Sequence, residues 1–433
     1  MAIDTSTRTF RRPREGRLTT VEVDTAVLGS GAAGMSAALE AAKLGRRVAI
    51  IDGAPQLGGQ AVGALLGTFC GFYSNGPKPY QVTHGIADDL LHDMRESGDL
   101  LDMVGRRNTI IVQYRVAGLQ RWFEEQARKA GLVVLLGAVL RGVRRDGCCI
   151  KALELATRYG DVELHASGFV DASGDAALAL TAELAVREAA AAQIFGSLVF
   201  TLEGFNESLL KDFDRAELAR RLQEKGSSYG LVRHDGFIFA GPTWNETLVN
   251  MTHIETPMDP VGAGRMVLEG RAQADRLVRF LRAEFPGVFA QARVRAYGLP
   301  GIRQTRTIAG THQLTETEVR TGQHFDDAIA RCSWPFELHA HASHVQWEEF
   351  GDGHMHYVPF RSLISAEADN LVAAGRCIDA DPVALSSVRV MGPCIAMGAA
   401  AAHALDLADA GSVHQIDLSA LRKRVVGNLE ATH

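Results

Sequence analysis

Gly29-Ser30-Gly31-Ala32-Ala33-Gly34, followed at a distance by Asp52, is the group of residues whose types and spacing most directly imply chemistry. An apolar run, 21–28, leads into the glycines. A helical stretch of small residues follows, and a second apolar run, 47–51, ends in the acid. This is a strand, a G-x-G-x-x-G turn opening a helix, and a second strand closing on a carboxylate, the pattern that holds a dinucleotide. Gly29 permits the tight turn. Gly31 lets a diphosphate approach the backbone. Gly34, with Ala33, Ala37 and Ala38, lets the helix lie close on the sheet. The helix amino end offers free N–H groups and a positive dipole end to the phosphates. Asp52 suits ribose hydroxyls and would repel a 2′-phosphate.

The elements that must position these residues can be read along the chain. Gly58-Gly59-Gln60 follows the acid-bearing strand, and glycines there let backbone N–H groups approach a ligand. Residues 101–114 read as helical or loop-then-helical, and 116–130 as a helix with Leu119, Trp122, Phe123 and Ala127 on one face. The apolar run 132–140 reads as one strand at a sheet centre. Segments 150–156 and 162–166 flank a turn at Tyr159-Gly160-Asp161. The run 168–171 again ends in an acid, and its turn places Asp171, Gly174 and Asp175 at the carboxyl end of a strand, where open α/β sheets bind ligands. From 193 to 295 short alternating runs and an Arg-rich helical stretch suggest an inserted unit. Residues 294–308 turn back toward the first unit, with a turn at 298–301. Segment 324–357 is irregular and rich in His and Trp. Residues 395–410 read as a buried alanine-rich helix.

With 433 residues, 46% hydrophobic and 22% charged, the chain has the composition of a globular protein of one elaborate or two ordinary domains. A formal charge of −6 offers no electrostatic case for nucleic acid. The six cysteines show no metal spacing and no C-x-x-C, which points to a reduced, cytoplasmic setting. The basic start, with Arg11-Arg12, lacks the apolar segment of an export signal and reads as an arm. No run long enough to span a membrane is apparent.

Several later motifs carry a family resemblance, from about Asp24 to about Leu405. They include LGGQ (57–60), VDASGDAAL (170–178), GIRQTRTIAGTHQLT (301–315), WPFELH (334–339), YVPFRSLI (357–364), NLVAAGRCIDA (370–380) and SSVRVMGPCIAMGAAAA (386–402). With the glycine turn, they resemble the FAD-dependent oxidoreductases whose nucleotide domain is like those of glutathione reductase and the fumarate reductase flavoprotein. The resemblance implies an α/β fold: a Rossmann-like FAD-binding domain, a parallel sheet with helices, carrying an inserted β-rich α+β substrate domain. The FAD domain would comprise 20–195, 296–320 and 358–433, the substrate domain 196–295, and a His-rich substrate-side segment 321–357. FAD would lie with its ADP half on Gly29, Gly31, Ala33, Gly34, Asp52, the Gly58-Gly59-Gln60 loop and the backbone around Val139. Its remainder would lie near Asp171, Gly174, Asp175, Gly375, Asp379 and the loop carrying Ser387 and Gly392. A homodimer is implied by the same resemblance.

Reduction of a flavin places negative charge at its pyrimidine edge, and a helix amino end can stabilise that charge. Histidine is the usual proton acceptor near neutral pH, and His339 matches the single histidine of the Trp-Pro-x-x-x-His stretch. Arg303, Arg306 and Arg389 offer guanidinium forks for a substrate carboxylate or a flavin carbonyl, and Tyr357 could orient a proton. A thiol relay at Cys70 would need a second cysteine close by, as in disulfide reductases, and the sequence around it offers none. His339, His341 and His344 lack the spacing of a helical ligand pair, so no metal is expected. The expectation is an oxidase or dehydrogenase that takes a hydride from a small polar CH–OH or CH–NH substrate and passes electrons to oxygen or another acceptor. The alternatives are an NAD(P)H-dependent flavin monooxygenase and a non-catalytic FAD-binding protein.

Overall fold

The computed structural model describes residues 18–430, except 107, 189–193, 212 and 241–246, together with 7, 9 and 11. The Arg11-Arg12 arm therefore lies largely outside the described residues.

Five parallel strands form the central sheet, in the order Leu371–Ala373, Gly168–Asp171, Thr25–Leu28, Val48–Asp52, Val133–Leu136. Thr25–Leu28 is buried throughout, as expected of a strand covered on both faces. The next strand in sequence lies on one side of it, and a strand from far along the chain lies on the other. The order thus reverses at Thr25–Leu28, and a crevice opens beyond its carboxyl end, just where the glycine turn sits. The helix Ala32–Lys43 leaves this turn and packs against the long helix Met391–Ala408. There Ser36 Oγ donates to the Ile395 carbonyl at 2.7 Å. A Cβ on Gly398 would lie 2.1 Å from the Ala33 carbonyl oxygen, so the two helices touch backbone to backbone. Met391–Ala408 has the length and apolarity of a membrane span, but 72% of it is buried inside the protein.

Three readings of the sequence require correction. The run 21–28 is two strands. Leu18–Glu22 pairs with Gly160–His165 in a separate four-stranded sheet. The chain turns at Asp24, whose carboxylate accepts from the Arg47 N–H at 2.7 Å. Residues 101–114 are not helical: Leu100–Arg106 and Thr109–Tyr114 form an antiparallel pair. The β-branched run Ile110-Ile111-Val112 favours this pleated state. The run 132–140 breaks at Gly137, leaving Val133–Leu136 at the edge of the parallel sheet and Val139–Asp146 in the four-stranded one.

The second unit is an antiparallel sheet ordered Phe237–Ala240, Thr247–Asn250, Ser197–Glu203, Arg293–Gly301. Residues 298–301, read as a turn, are the end of its last strand. The helix Pro260–Glu284 covers one face and buries Leu277, Phe280 and Leu281 in a core shared with Leu198 and Phe200. Asp259 caps it, accepting from Val261 and Gly262 N–H groups at 2.9 and 2.8 Å, with Pro260 in the first turn. The His-rich segment is less irregular than its composition suggests. Ala328–Cys332 pairs with His356–Pro359, and Phe336–Leu338 with Gln346–Glu348.

Candidate active site

A cleft of about 410 Å³ runs from the glycine turn to the inner face of the antiparallel sheet. At its outer end lie Gly29, Gly31, Ala32, Ala33 and Asp52. Gly29 has φ +100°, and a Cβ there would lie 2.2 Å from the Ala172 carbonyl oxygen; a Cβ on Gly34 would lie 1.9 Å from the Gly29 oxygen. These two glycines let the turn cross the neighbouring strand and helix. Gly31 differs, because a Cβ there meets nothing within 4 Å and would stand in the cleft. Gly31 is the N-cap of Ala32–Lys43, and no side chain caps the helix, so its first N–H groups remain available to an anion. Asp52 braces this end. It accepts from Ser30 N and Oγ at 2.8 and 2.6 Å through one oxygen and from Ala54 N at 2.8 Å through the other.

Midway, Gly174, Asp175, Gly375 and Arg376 line the cleft. Arg376 lies 3.7 Å from Asp175, and its Nη1 is buried without a partner. At the inner end Arg303, Glu337 and Arg389 face Phe237, Phe239 and Asn250 of the antiparallel sheet. Arg303 donates to the Phe195 carbonyl at 2.7 Å and to Ser197 Oγ at 3.0 Å. Arg389 donates through Nη2 to the Glu337 carbonyl at 3.2 Å, while its Nε is buried without a partner. Among the described residues no carboxylate lies within ion-pair distance of Arg303 or Arg389. Burial pushes both guanidinium pKa values down, helped at Arg303 by Arg389 and at Arg389 by Arg376, while Glu337 acts in the opposite direction at both. An anion entering the cleft would relieve that cost.

The sequence matches the family described as FAD dependent oxidoreductase over residues 24–425. The chain belongs to the FAD-dependent oxidoreductase family. No curated protein matches it. Among solved structures it is similar to a geranylgeranyl bacteriochlorophyll reductase-like protein from Thermoplasma acidophilum, at 13% identity over 94% of this chain and 83% of that one, with a TM-score of 0.51. A p-nitrophenol 4-monooxygenase from Pseudomonas putida aligns at 13% identity over 94% and 84% of the two chains, with a TM-score of 0.46. The first of these likenesses supports the fold. The family's cofactor is FAD, and the cleft fits it. The open Gly31 position, the uncapped helix start and the orphaned nitrogens of Arg376 and Arg389 all face one groove that calls for an anionic, hydrogen-bonding ligand.

Of the residues expected to hold FAD, Gly29, Gly31, Ala33, Asp52, Gly59, Gln60, Gly174, Asp175 and Gly375 line the cleft. The others do not. Gly34 lies beneath the turn. Gly58 is packed against Val62, and its N–H donates to the Ser30 carbonyl at 3.0 Å. Val139 is 57% exposed on the four-stranded sheet. Asp171 is fully buried and accepts from Ser173 N and Oγ, Leu178 N and Ala179 N at 2.6 to 3.1 Å, so it organises the turn rather than facing a ligand. Asp379 is buried, pairs with Arg187 at 2.9 Å and accepts from Gly310 N at 2.8 Å. Ser387 donates to the Trp334 carbonyl and meets His356 Nε2 at 2.9 Å. Gly392 packs on the Gly71 backbone.

Three residues expected on the substrate side also lie off the cleft. Tyr357 sits in the His356–Pro359 strand with its ring against His324. His339 is buried, with Nδ1 2.8 Å from His253 Nε2 and Nε2 3.4 Å from Glu337 Oε1. Arg306 pairs with Glu188 at 2.6 Å. Glu337 and Arg376 are the residues that sequence reasoning missed. Glu337 is two residues from His339 along an extended segment, so the strand repeat places both on one face. Arg376 directly follows Gly375 in a motif already singled out.

Burial holds several histidines neutral. His253 is pushed down to about 2 and His356 to about 3, chiefly by desolvation, and His339 is also lowered. In the unfolded chain these groups titrate near 6.5. The unfolded state therefore binds more protons below that pH, and stability falls as pH drops from 6.5 toward about 3. Thermal melts across this window should show a falling Tm, and the His356→Gln variant a shallower fall. A flat wild-type profile would contradict the neutral, buried state of these rings.

Proposed function

We propose that this FAD enzyme oxidises a small polar substrate at a CH–OH or CH–NH bond. Bound FAD supplies the two-electron hydride acceptor. Gly31 and the start of Ala32–Lys43 would hold the diphosphate, Asp52 the adenosine ribose, and Arg376 with Asp175 the middle of the cofactor. The substrate lies between this side and the antiparallel sheet. Its polar groups meet Arg303, Arg389 and Asn250, and its apolar part lies on Phe237 and Phe239. Enclosure by that sheet excludes water from the reacting bond.

The observation that carries this reading is the convergence of Arg303, Arg389 and Glu337 at the inner end of one cleft, opposite an apolar wall. Two cations and a carboxylate can both orient a small polar molecule and exchange a proton with it. The test is anaerobic mixing of the yellow protein with alcohols, amines and hydroxy acids. Loss of the oxidised-flavin absorbance with such a compound, in the absence of NAD(P)H, is the expected result. Bleaching by NAD(P)H alone would favour a monooxygenase instead, and a flavin that stays oxidised against every compound would favour a non-catalytic role.

A further inference from the structure

We infer that Glu337, rather than His339, exchanges the proton with the substrate, and that the buried His253–His339 pair sets how firmly Glu337 holds it. The inference rests on the oxidation reading above. It follows from the polarity of one hydrogen-bond chain. The Ala342 carbonyl oxygen lies 2.7 Å from His253 Nδ1. A carbonyl only accepts, so that nitrogen carries the hydrogen, and Nε2 of the neutral ring is a lone pair. His339 Nδ1, 2.8 Å away, must then be the donor. This leaves His339 Nε2 as a second lone pair, facing Glu337 Oε1 at 3.4 Å. Two acceptors face each other unless a proton lies between them. The Glu337–His339 pair therefore holds one proton more readily than an isolated glutamate would.

That proton rests on Glu337. The alternative is an imidazolium, fully enclosed and close to Arg303 and Arg233, and such a cation is disfavoured there. Glu337 is also the member of the chain that reaches the cleft. The groups around it act in both directions. Trp334 Nε1 donates to Oε2 at 3.2 Å, and Arg303 and Arg389 favour the carboxylate, whereas the His339 lone pair favours the acid. The Arg233–Asp235 ion pair lies beyond His253. Opposed influences of this kind bring a carboxyl group toward the working pH, where a base is most useful.

In the oxidation, the substrate loses the proton of its O–H or N–H to the Glu337 carboxylate and the hydride of its C–H to FAD. It gains a C=O or C=N bond, and FAD is reduced by the same two electrons. The active form is therefore the deprotonated pair, and kcat/KM should rise with pH through one ionisation. E337Q should lower kcat by roughly 10²- to 10⁴-fold and abolish that limb. His253 and His339 are positioning residues. H253F frees His339 to place its hydrogen on Nε2 and donate to Glu337, which should move the limb down by about one pH unit with little loss of kcat. H253Q retains an acceptor near His339 Nδ1 and should leave the limb in place. Should H253F fail to fold, H339Q, which offers an amide N–H to Glu337, should move the limb in the same direction.

A second readout needs no turnover. Infrared spectroscopy of the FAD-loaded protein should show a protonated carboxyl band at neutral pH that is absent in E337Q and titrates at lower pH in H253F. Absence of that band throughout roughly pH 5 to 9, or a limb unmoved in both H253F and H339Q, overturns the inference even if substrates bleach the flavin. A band that is present while no CH–OH or CH–NH compound bleaches the flavin overturns the oxidation reading and, with it, the substrate half of this inference.

Discussion

Replacing Gly31 with valine is expected to abolish FAD binding while leaving the chain folded. Gly31 has φ −67° and ψ −175°, a conformation open to any residue, and a Cβ there meets nothing within 4 Å. The new methyl groups would fill the space in front of the free N–H groups of Ala32–Lys43, so the diphosphate could no longer approach. Affinity should fall at least ~100-fold, ~2.7 kcal/mol. Colourless purified protein, with the far-ultraviolet dichroism of the wild-type chain, is the expected result. Gly34→Ala offers the contrast. Its Cβ would lie 1.9 Å from the Gly29 oxygen, so the helix must move off the strand, at a cost of about 1–3 kcal/mol or more. That variant should lose stability and cofactor affinity together. A yellow G31V protein of ordinary affinity would refute the placement of the diphosphate.

The second large effect is expected at Asp171. Its carboxylate is sealed from solvent and accepts four hydrogen bonds that hold the Ser173-Gly174 turn and the start of Ala177–Thr181. Asp171→Ala strands those donors in the interior, and a loss of about 3 kcal/mol or more is expected from the unpaired groups and the cavity. Asp175→Ala, four residues on, removes a part-exposed side chain and should leave the melting temperature nearly unchanged while weakening FAD binding. Chemical denaturation of the cofactor-free variants checks both. Equal stability of the two would show that the buried aspartate is not the structural member of the pair.

These two aspartates illustrate what was legible in the sequence. The repeat of an apolar run, an acid and a small-residue turn marked both as ligand contacts, because residue type and spacing locate the carboxyl end of a strand. They do not reveal which way each side chain points. Asp171 ends the strand and Asp175 lies beyond the turn, and burial decides between bracing and binding. Asp379 and Ser387 were misread in the same manner: their motifs located the loop, but Arg187 and Trp334, distant in sequence, take up their polar atoms. The glycine turn was legible because the steric demand on each glycine is local. The division of the run 21–28 was not, since apolarity is shared by both sheets and the bend depends on Arg47 meeting Asp24. His339 drew attention by residue type. Its carbonyl-fixed tautomer depends on His253 and Ala342, which only the tertiary structure brings to it.

The backbone-to-backbone seam between Ala32–Lys43 and Met391–Ala408 bears on how the protein is made. The glycine turn is synthesised more than 300 residues before the helix that seats against it, and well before Arg376 and Arg389 of the cleft. A nascent chain can therefore present the phosphate-binding loop long before it can retain a flavin, and such long-range closure is slow. Yellow colour should thus appear only on nascent chains in which Met391–Ala408 has left the ribosome, and stalled chains ending before Met391 should remain colourless however much FAD surrounds them.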